Sequence, residues 1–362
     1  MKKIYMSMVA AAVLSTGAYA ESNSIKEAFA NGTTSGDISI YTDSVSSDSG
    51  DSAYTNSSIG IQYETDSFNG FKAAIGGRTN HKFSEKNDGD YSDGTDPEAA
   101  LSTANISYST DMGSIKVGRQ AIDLEWITDY HEAVVGAITA IPDTTIIVGH
   151  TTRFMVVDPD AALEKMGDIT DSGASVIDVK YAGIENTELN AYYIDADDLF
   201  SAYGFKATTT VANMDLLGHY ASTSEDVSGT EDGSIAHFEI GTTVSDISLA
   251  AGYITTDKDG GIGSLDTLGE NIDPFEAAGE VYSADADTFY ASISADVAMV
   301  TLGAFYGETE YGTNDDKISE FNVSASAAIT DELVFDVVYA TTDAEDSVDD
   351  VDYVWAMLTY SF

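Results

Sequence analysis

Along most of this chain, apolar side chains recur at every second position over short stretches. Ile59, Ile61 and Tyr63 form one such set, and Ala104, Ile106 and Tyr108 another. Ile177, Val179, Tyr181 and Leu189, Ala191, Tyr193 follow, and later Ala236, Phe238, Ile240 and Leu333, Phe335, Val337, Tyr339. The alternate positions hold Gly60, Gln62, Glu64, Asn190, His237 and Glu239. A period of two is the mark of a β-strand with two unlike faces. End to end, the pattern predicts strands near 35–43, 55–65, 70–78, 102–109, 112–122, 133–141, 144–153, 174–183 and 186–194. The second half gives 200–208, 211–222, 233–242, 246–255, 287–295, 298–307, 316–327, 331–341 and 351–362. That is about eighteen strands. Segment 133–141 carries the faintest alternation, and without it the arrangement reduces to sixteen.

The connections follow a rhythm of their own. Long polar segments such as 79–101, 123–132 and 256–286 alternate with very short turns such as Asp111, Pro142-Asp143 and Asp296-Val297. Outer-membrane barrels have long outer loops and short periplasmic turns, so an all-β, transmembrane antiparallel β-barrel is the predicted fold. All four prolines (Pro97, Pro142, Pro159, Pro274) fall in connections, where a missing N–H harms no ladder. Tyr63, Phe71, Tyr108, Tyr181 and Phe362 sit at one set of strand ends, and Tyr193, Tyr253 and Tyr339 at the other. Two aromatic girdles at the lipid–water boundaries account for that placement. After residue 20 no apolar run reaches the roughly 20 residues a spanning helix needs, whereas a barrel strand needs only about 10.

The first twenty residues read as a cleaved signal peptide. Lys2 and Lys3 precede an apolar stretch from Ile4 to Leu14, and Ala18-Tyr19-Ala20 forms the cleavage site. Residues 21–34 are then a periplasmic N-terminal segment and 35–362 the barrel with its loops. Losing Lys2 and Lys3 takes the formal charge from −47 to −49. So much negative charge excludes nucleic acid as a partner. It does not signal disorder here, because 43% of residues are hydrophobic and are spread in alternation.

The last strand ends Ala356-Met357-Leu358-Thr359-Tyr360-Ser361-Phe362, with Ala356, Leu358, Tyr360 and Phe362 on one face. A terminal phenylalanine in that setting resembles the C-terminal signal of bacterial outer-membrane barrels, which implies recognition by the barrel assembly machinery. Ser24-Ile25-Lys26-Glu27-Ala28-Phe29 before the first strand and Lys116-Val117-Gly118-Arg119-Gln120 at the end of the fifth add local support. In architecture the mature chain resembles the Opr-family (OprD-like) porins, substrate-selective eighteen-strand channels. The resemblance implies a water-filled pore for ions and small hydrophilic solutes, a basic ladder that guides anionic solutes, and an outer-membrane setting. Trimers are common among porins, so a homotrimer is a further expectation.

Strand parity assigns Lys72, Arg78, Lys116, Lys180 and Lys206 to the lumen. Arg119 falls on the lipid parity, close enough to the strand end for a bulge to turn it inward, and is counted with them. Inward acids are Asp37, Glu64, Asp178, Asp215, Glu239 and Asp336. Segment 123–132 takes the place of the porin loop that folds into the channel. Its Asp123, Glu125, Asp129 and Glu132 are expected either to face the Lys72, Arg78 and Lys116 wall at a constriction or to stay outside as solvated loop. The acid-rich loops favour a weak cation preference, against the pull of the basic ladder.

Two rival classes remain. A closed barrel serving as a surface adhesin or structural protein would have nearly the same sequence. An outer-membrane hydrolase is the weaker rival, since His81, His131, His150, His219 and His237 have no recognisable catalytic spacing. No cofactor is expected. Asp88-Gly89-Asp90-Tyr91-Ser92-Asp93-Gly94 resembles the start of a calcium loop, but its glycine comes one residue late and the bidentate acid is missing. Loose divalent cations bridging loop acids to lipopolysaccharide are the remaining expectation.

Overall fold

In the computed structural model, residues 22–92, 94–345 and 350–362 are described. The expected signal peptide lies outside them. The chain opens with α1 (Ile25–Ala30), β1 (Thr33–Ser47), β2 (Ser52–Glu64), β3 (Phe71–Glu85), β4 (Ala99–Thr110), β5 (Gly113–Ala121), β6 (Tyr130–Ile138) and β7 (Thr144–Met155). A two-residue β8 (Gly167–Asp168) precedes β9 (Ala174–Ile184), β10 (Thr187–Ala196), β11 (Phe200–Val211), β12 (Met214–Glu225) and β13 (Ser234–Val244). The rest are β14 (Ile247–Thr256), β15 (Asp287–Val297), β16 (Val300–Tyr311), β17 (Asp316–Ala328), β18 (Leu333–Ala344) and β19 (Val351–Ser361).

Each long strand pairs antiparallel with its neighbours in sequence, β7 pairs directly with β9, and β1 pairs with β19. The result is a closed barrel of 18 strands, with β8 as a short ladder on Arg153 and Phe154. Closure leaves no open edge, so every long strand finds its backbone partners within the chain. Both described chain ends lie at the end of the barrel that carries the short turns, called here the turn end; the other is the loop end.

Alternation sorts the side chains. Ile59, Ile61, Ile75, Ile106, Val117, Phe238, Leu249 and Ile293 face outward and are exposed, whereas Ser39, Asn56, Ser58, Asn80, Asp178, His219 and Asn322 are buried on the inner face. Some outward aromatics pair near strand ends, Phe71 with Tyr108 at 4.6 Å near the turn end and Tyr253 with Phe289 at 4.6 Å near the loop end, while Phe205, Phe238 and Phe321 are exposed mid-strand. Apolar residues outside and polar ones inside is the reverse of a water-soluble domain, and it fits a hydrocarbon layer around the wall.

All eighteen expected strands are present. The strand expected at 133–141 lies three residues earlier, because Thr139 bonds back to Met112 and Thr144 to Ile141 in the turn. The loop expected at 123–132 is therefore residues 122–129, and His131 and Glu132 belong to β6. β1 and β3 run to Ser47 and Glu85, well past their expected ends. Their outer portions, residues 44–47 and 79–85, hold one apolar side chain each (Val45 and Phe83), so they carry no apolar alternation to read. The turn Ala212-Asn213 has φ of 53° and 65°, the left-handed pair of a tight hairpin, with alanine where glycine would be unstrained.

Candidate channel constriction

Three connections at the loop end fold into the barrel. The first, residues 122–129, is a tight hairpin closed by Ile122 N to Asp129 O at 2.8 Å and Leu124 N to Ile127 O at 2.9 Å. Its tip turns through Trp126 at φ 62°. Trp126 and Ile127 are 0% exposed, in one cluster with Val135, Ile147, Val176, Ile194 and Phe200 from the inner wall. The interior of the barrel thus holds an apolar core made of loop against wall.

Polar contacts fix the hairpin's position. Trp126 Nε1 donates to Tyr192 Oη at 2.9 Å, and that hydroxyl meets His219 Nε2 at 2.8 Å. Lys206 Nζ donates to Glu125 Oε1 at 2.7 Å, and Asn271 donates to the other carboxylate oxygen. Burial works against the Glu125 charge, but Lys206 and His219 nearby and the hydrogen bonds from Lys206 and Asn271 outweigh it and hold the carboxyl below its ordinary range. Burial raises Asp123 and Asp129 above theirs, against the opposing pull of Lys180 on Asp123 and of the Thr128 hydroxyl on Asp129.

The second connection, residues 257–286, covers the first. Leu265 and Leu268, in a short 3-10 turn, are buried against the same cluster, and Leu268 O accepts from Thr128 N at 3.1 Å. Farther on, the buried Glu320 carboxylate accepts the backbone N–H groups of Glu276, Ala277 and Ala278 at 2.8–3.1 Å. Trp355 Nε1 donates to Glu276 at 3.1 Å. The third connection, 156–173, reaches across to β2 and β3: Asn56 donates to Pro159 O at 3.0 Å and Asn80 to Asp158 O at 2.8 Å.

The remaining space lies beside these loops. One cavity of about 490 Å³ is lined by Asp37, Gln62, Arg78, Tyr130, Val157 and Glu332 among others. Another of about 220 Å³ is lined by Tyr41, Asp160, Glu276, Asp336, Tyr353 and Trp355 among others.

The inward cations take partners different from those expected. Lys72 bonds Glu64 at 2.8 Å, and Arg78 bonds Asp37 through two guanidinium nitrogens at 2.6 and 2.9 Å. These partners sit on the adjacent or next strand of the same wall, whereas the hairpin acids lie against the other side. Glu125 meets Lys206 on β11, Asp123 lies within the field of Lys180, and Asp129 accepts from Thr128 Oγ1 at 2.9 Å. Lys116 shares the inner face with Ser107 and Val135, in the field of Glu64 and Lys72. Lys180, Asn190, Lys206, His219 and His237 align in one inward row across β9 to β13.

Arg119 and Glu132, expected in the pore lining, pair with each other near the loop end of the β5–β6 ladder. Register alone puts them on the face of Ile106, Val117 and Val134, opposite Lys116 and Gln120. The β4–β5 ladder ends at Ala104 and Arg119, however, Gly118 has φ 119°, and Tyr130, two residues from Glu132 on the same face of β6, lines the inner cavity with Asp37 and Arg78. Arg119 Nε bonds Glu132 at 2.7 Å, and Arg153 approaches the same carboxylate at 3.6 Å. Among the other expected acids, Asp178 accepts from Asn190 at 2.8 Å, Asp215 from Thr210 at 2.6 Å and Glu239 from Tyr290 at 2.5 Å. Ala356, Leu358, Tyr360 and Phe362 share the outward face of β19. Asp90 accepts from the backbone N–H of Ala53 and Asn87, so it ties its loop together; Asp93 lies outside the described residues.

Sequence reasoning missed Glu320, Asn271, Tyr192 and Trp355. Each is an inward or loop residue whose partner is remote in sequence. Inward parity of a carboxylate or tyrosine was visible, but the loop it would hold was not.

Against known structures the barrel has clear counterparts. Over 93% of this chain and 97% of the other it matches Pseudomonas aeruginosa OccK3 (OpdO), with a TM-score of 0.76 and 14% identity. The fold is that of the Occ channels. Pseudomonas aeruginosa OccK9 (OpdG) matches with a TM-score of 0.77 at 13% identity, over 92% of this chain and 99% of that one. Acinetobacter baumannii OccAB4 matches at 0.75 and 11%, over 91% and 98%. No protein-family model and no curated protein matches the sequence. The Occ likeness therefore lies in strand number, closure and course, reached by a chain that shares about one residue in eight with these proteins.

Proposed function

We propose that this protein is a bacterial outer-membrane channel through which ions and small hydrophilic solutes diffuse passively, with a weak preference for cations. The observation that carries the reading is the inward-folded hairpin 122–129, pinned by Glu125 to Lys206, which narrows the barrel while cavities persist beside it. An eighteen-strand barrel is wide enough to hold water once loops have occupied part of it. The charge balance supports cations. Lys72, Arg78 and Lys206 each lie within 2.9 Å of a carboxylate, so their fields are largely offset, while Asp160, Glu276 and Asp336 line the second cavity. Salt limits the reach of those fields to about 10 Å at 0.1 M.

The outward apolar belt is the surface for outer-membrane lipid. The terminal face of Ala356, Leu358, Tyr360 and Phe362 is the one the barrel assembly machinery reads, and loop acids bridge to lipopolysaccharide through divalent cations. The test is reconstitution of the heat-modifiable protein in a planar bilayer under a KCl gradient. Discrete conductance steps with a reversal potential of cation sign are expected. A folded, inserted protein that passes no current would overturn the channel and favour a closed surface barrel.

A further inference from the structure

The six-residue α1 is held outside the barrel wall with its apolar side uncovered. Ser24 caps it by accepting from Glu27 N at 3.2 Å, and Glu27 returns the contact by accepting from Asn23 N at 2.9 Å. A helix this short does not persist alone. It is fastened to the turn end through Ser22 N to Ser67 O at 3.0 Å, Ser22 Oγ to Asp66 at 2.7 Å and Asp66 N to Ala28 O at 3.0 Å. Tyr63, on the outward face with Ile59 and Ile61, donates its hydroxyl to Phe29 O. That bond places the C-terminal end of α1 against the outside of the wall.

Ala28 is buried there, while Ile25 and Phe29, one helical turn apart, are 63% and 58% exposed. Around the turn end the outward face carries Tyr360 and Phe362 on β19, Tyr63 on β2, Phe71 on β3 and Tyr108 on β4. β1 interrupts this ring. It presents Thr34 opposite Tyr63 and Gly36 bonded to Phe362, and a Cβ on Gly36 would lie 2.2 Å from Gly60 O. No side chain fits at Gly36. The segment that leads into β1 sets the end of α1 at Phe29 beside Tyr63, which borders the gap.

We infer that α1 is a membrane foot, with Ile25 and Phe29 set into the boundary between headgroups and acyl chains of the periplasmic phospholipid leaflet. The ring it completes is the lipid-facing one, and an aromatic with an aliphatic neighbour suits that depth. This inference rests on the barrel spanning a membrane, and the test separates the two. The chain contains no cysteine, so single cysteines carry a nitroxide label without ambiguity. Phe29→Cys, Ile61→Cys on the outward wall and Glu185→Cys in a short turn are labelled, refolded into phospholipid vesicles and read by spin relaxation with oxygen and with a water-soluble nickel chelate.

At position 29 oxygen is expected to relax the label several-fold more strongly than the chelate, as at position 61, with the order reversed at position 185. Chelate-dominated relaxation at 29 with lipid-like behaviour at 61 would overturn the foot and leave the barrel intact. Dipolar broadening at 29 from a second label would overturn it in favour of a second copy of the chain. Water-like behaviour at 61 would sink both readings. Phe29 is largely exposed, so its replacement leaves the heat-modifiable folded band in place as the control.

Discussion

Replacing Glu125 with glutamine removes the hairpin's charge while keeping its shape and an acceptor for Asn271. Lys206 Nζ then loses a carboxylate 2.7 Å away, in a position where the lysine and glutamate side chains are 26% and 10% exposed. Fully buried pairs lose about 3–5 kcal/mol on such a change and exposed ones less than about 1, so this site falls at about 1–3 kcal/mol. That loosens the hairpin without threatening a barrel closed by eighteen ladders. The effect on permeation follows from the net gain of one positive charge. For an ion passing about 10 Å away in water, Coulomb energy is about 0.4 kcal/mol, or about 0.15 kcal/mol after screening at 0.1 M. Cation entry falls and anion entry rises by about 1.3- to 2-fold each, so the cation-to-anion ratio drops about 2- to 4-fold. Reversal potential in a tenfold KCl gradient reads the ratio directly. Adding Lys206→Met to Glu125→Gln should restore it, because the pair is then removed without net charge. An unchanged ratio in the single variant would refute the constriction, and a shifted ratio in the double variant would assign the effect to hairpin movement.

Other outcomes follow from the same geometry. The Glu125 carboxyl is held below its ordinary range, so it contributes stability above the unfolded value, and that contribution is lost as pH falls through the lowered folded value. Asp123 and Asp129 are raised by burial, so they gain their protons first, which removes a cost and keeps the hairpin seated. The tryptophan emission that Trp126 contributes should therefore hold until pH falls below the ordinary carboxylate range near about 4, while cation preference weakens earlier as Asp123 and Asp129 gain their protons; emission that changes together with the preference would contradict the assignment. Glu320→Ala removes the acceptor of three backbone N–H groups and should strip hydrogen-exchange protection from residues 276–278 at a cost of about 3 kcal/mol. Retained protection would show that these groups have other partners. Ala212→Gly relieves a left-handed alanine at φ 53° and should stabilise the fold by about 0.5–1 kcal/mol, seen as a higher temperature for loss of the folded band. A lower temperature would mean the turn is not strained.

Strand identity, closure and facing were legible because the information is local. A side chain two positions from Ile59 falls on the same face whatever the rest of the chain does, and the alternation of short and long connections follows from crossing a layer back and forth. Arg119 marks where that rule stops: the β4–β5 ladder ends at Ala104 and Arg119, and Gly118 just before it has φ 119°. Where the alternation ended, at the polar outer parts of β1 and β3, the reading ended too.

The arrangement inside the barrel was a different matter. Glu125 and Lys206 lie 81 residues apart, and Glu125 and Asn271 lie 146 apart. Lys72 and Arg78 found carboxylates at 8 and 41 residues' separation along their own wall instead of across the lumen. By itself the sequence determined a closed barrel with an apolar outside, because strand period and connection length are properties of the chain. Which loops fold inward, and which acid meets which base, was decided only by closure. Bringing β9 to β13 around to the hairpin set the Glu125 partner, and nothing in the residues next to it encodes that distance.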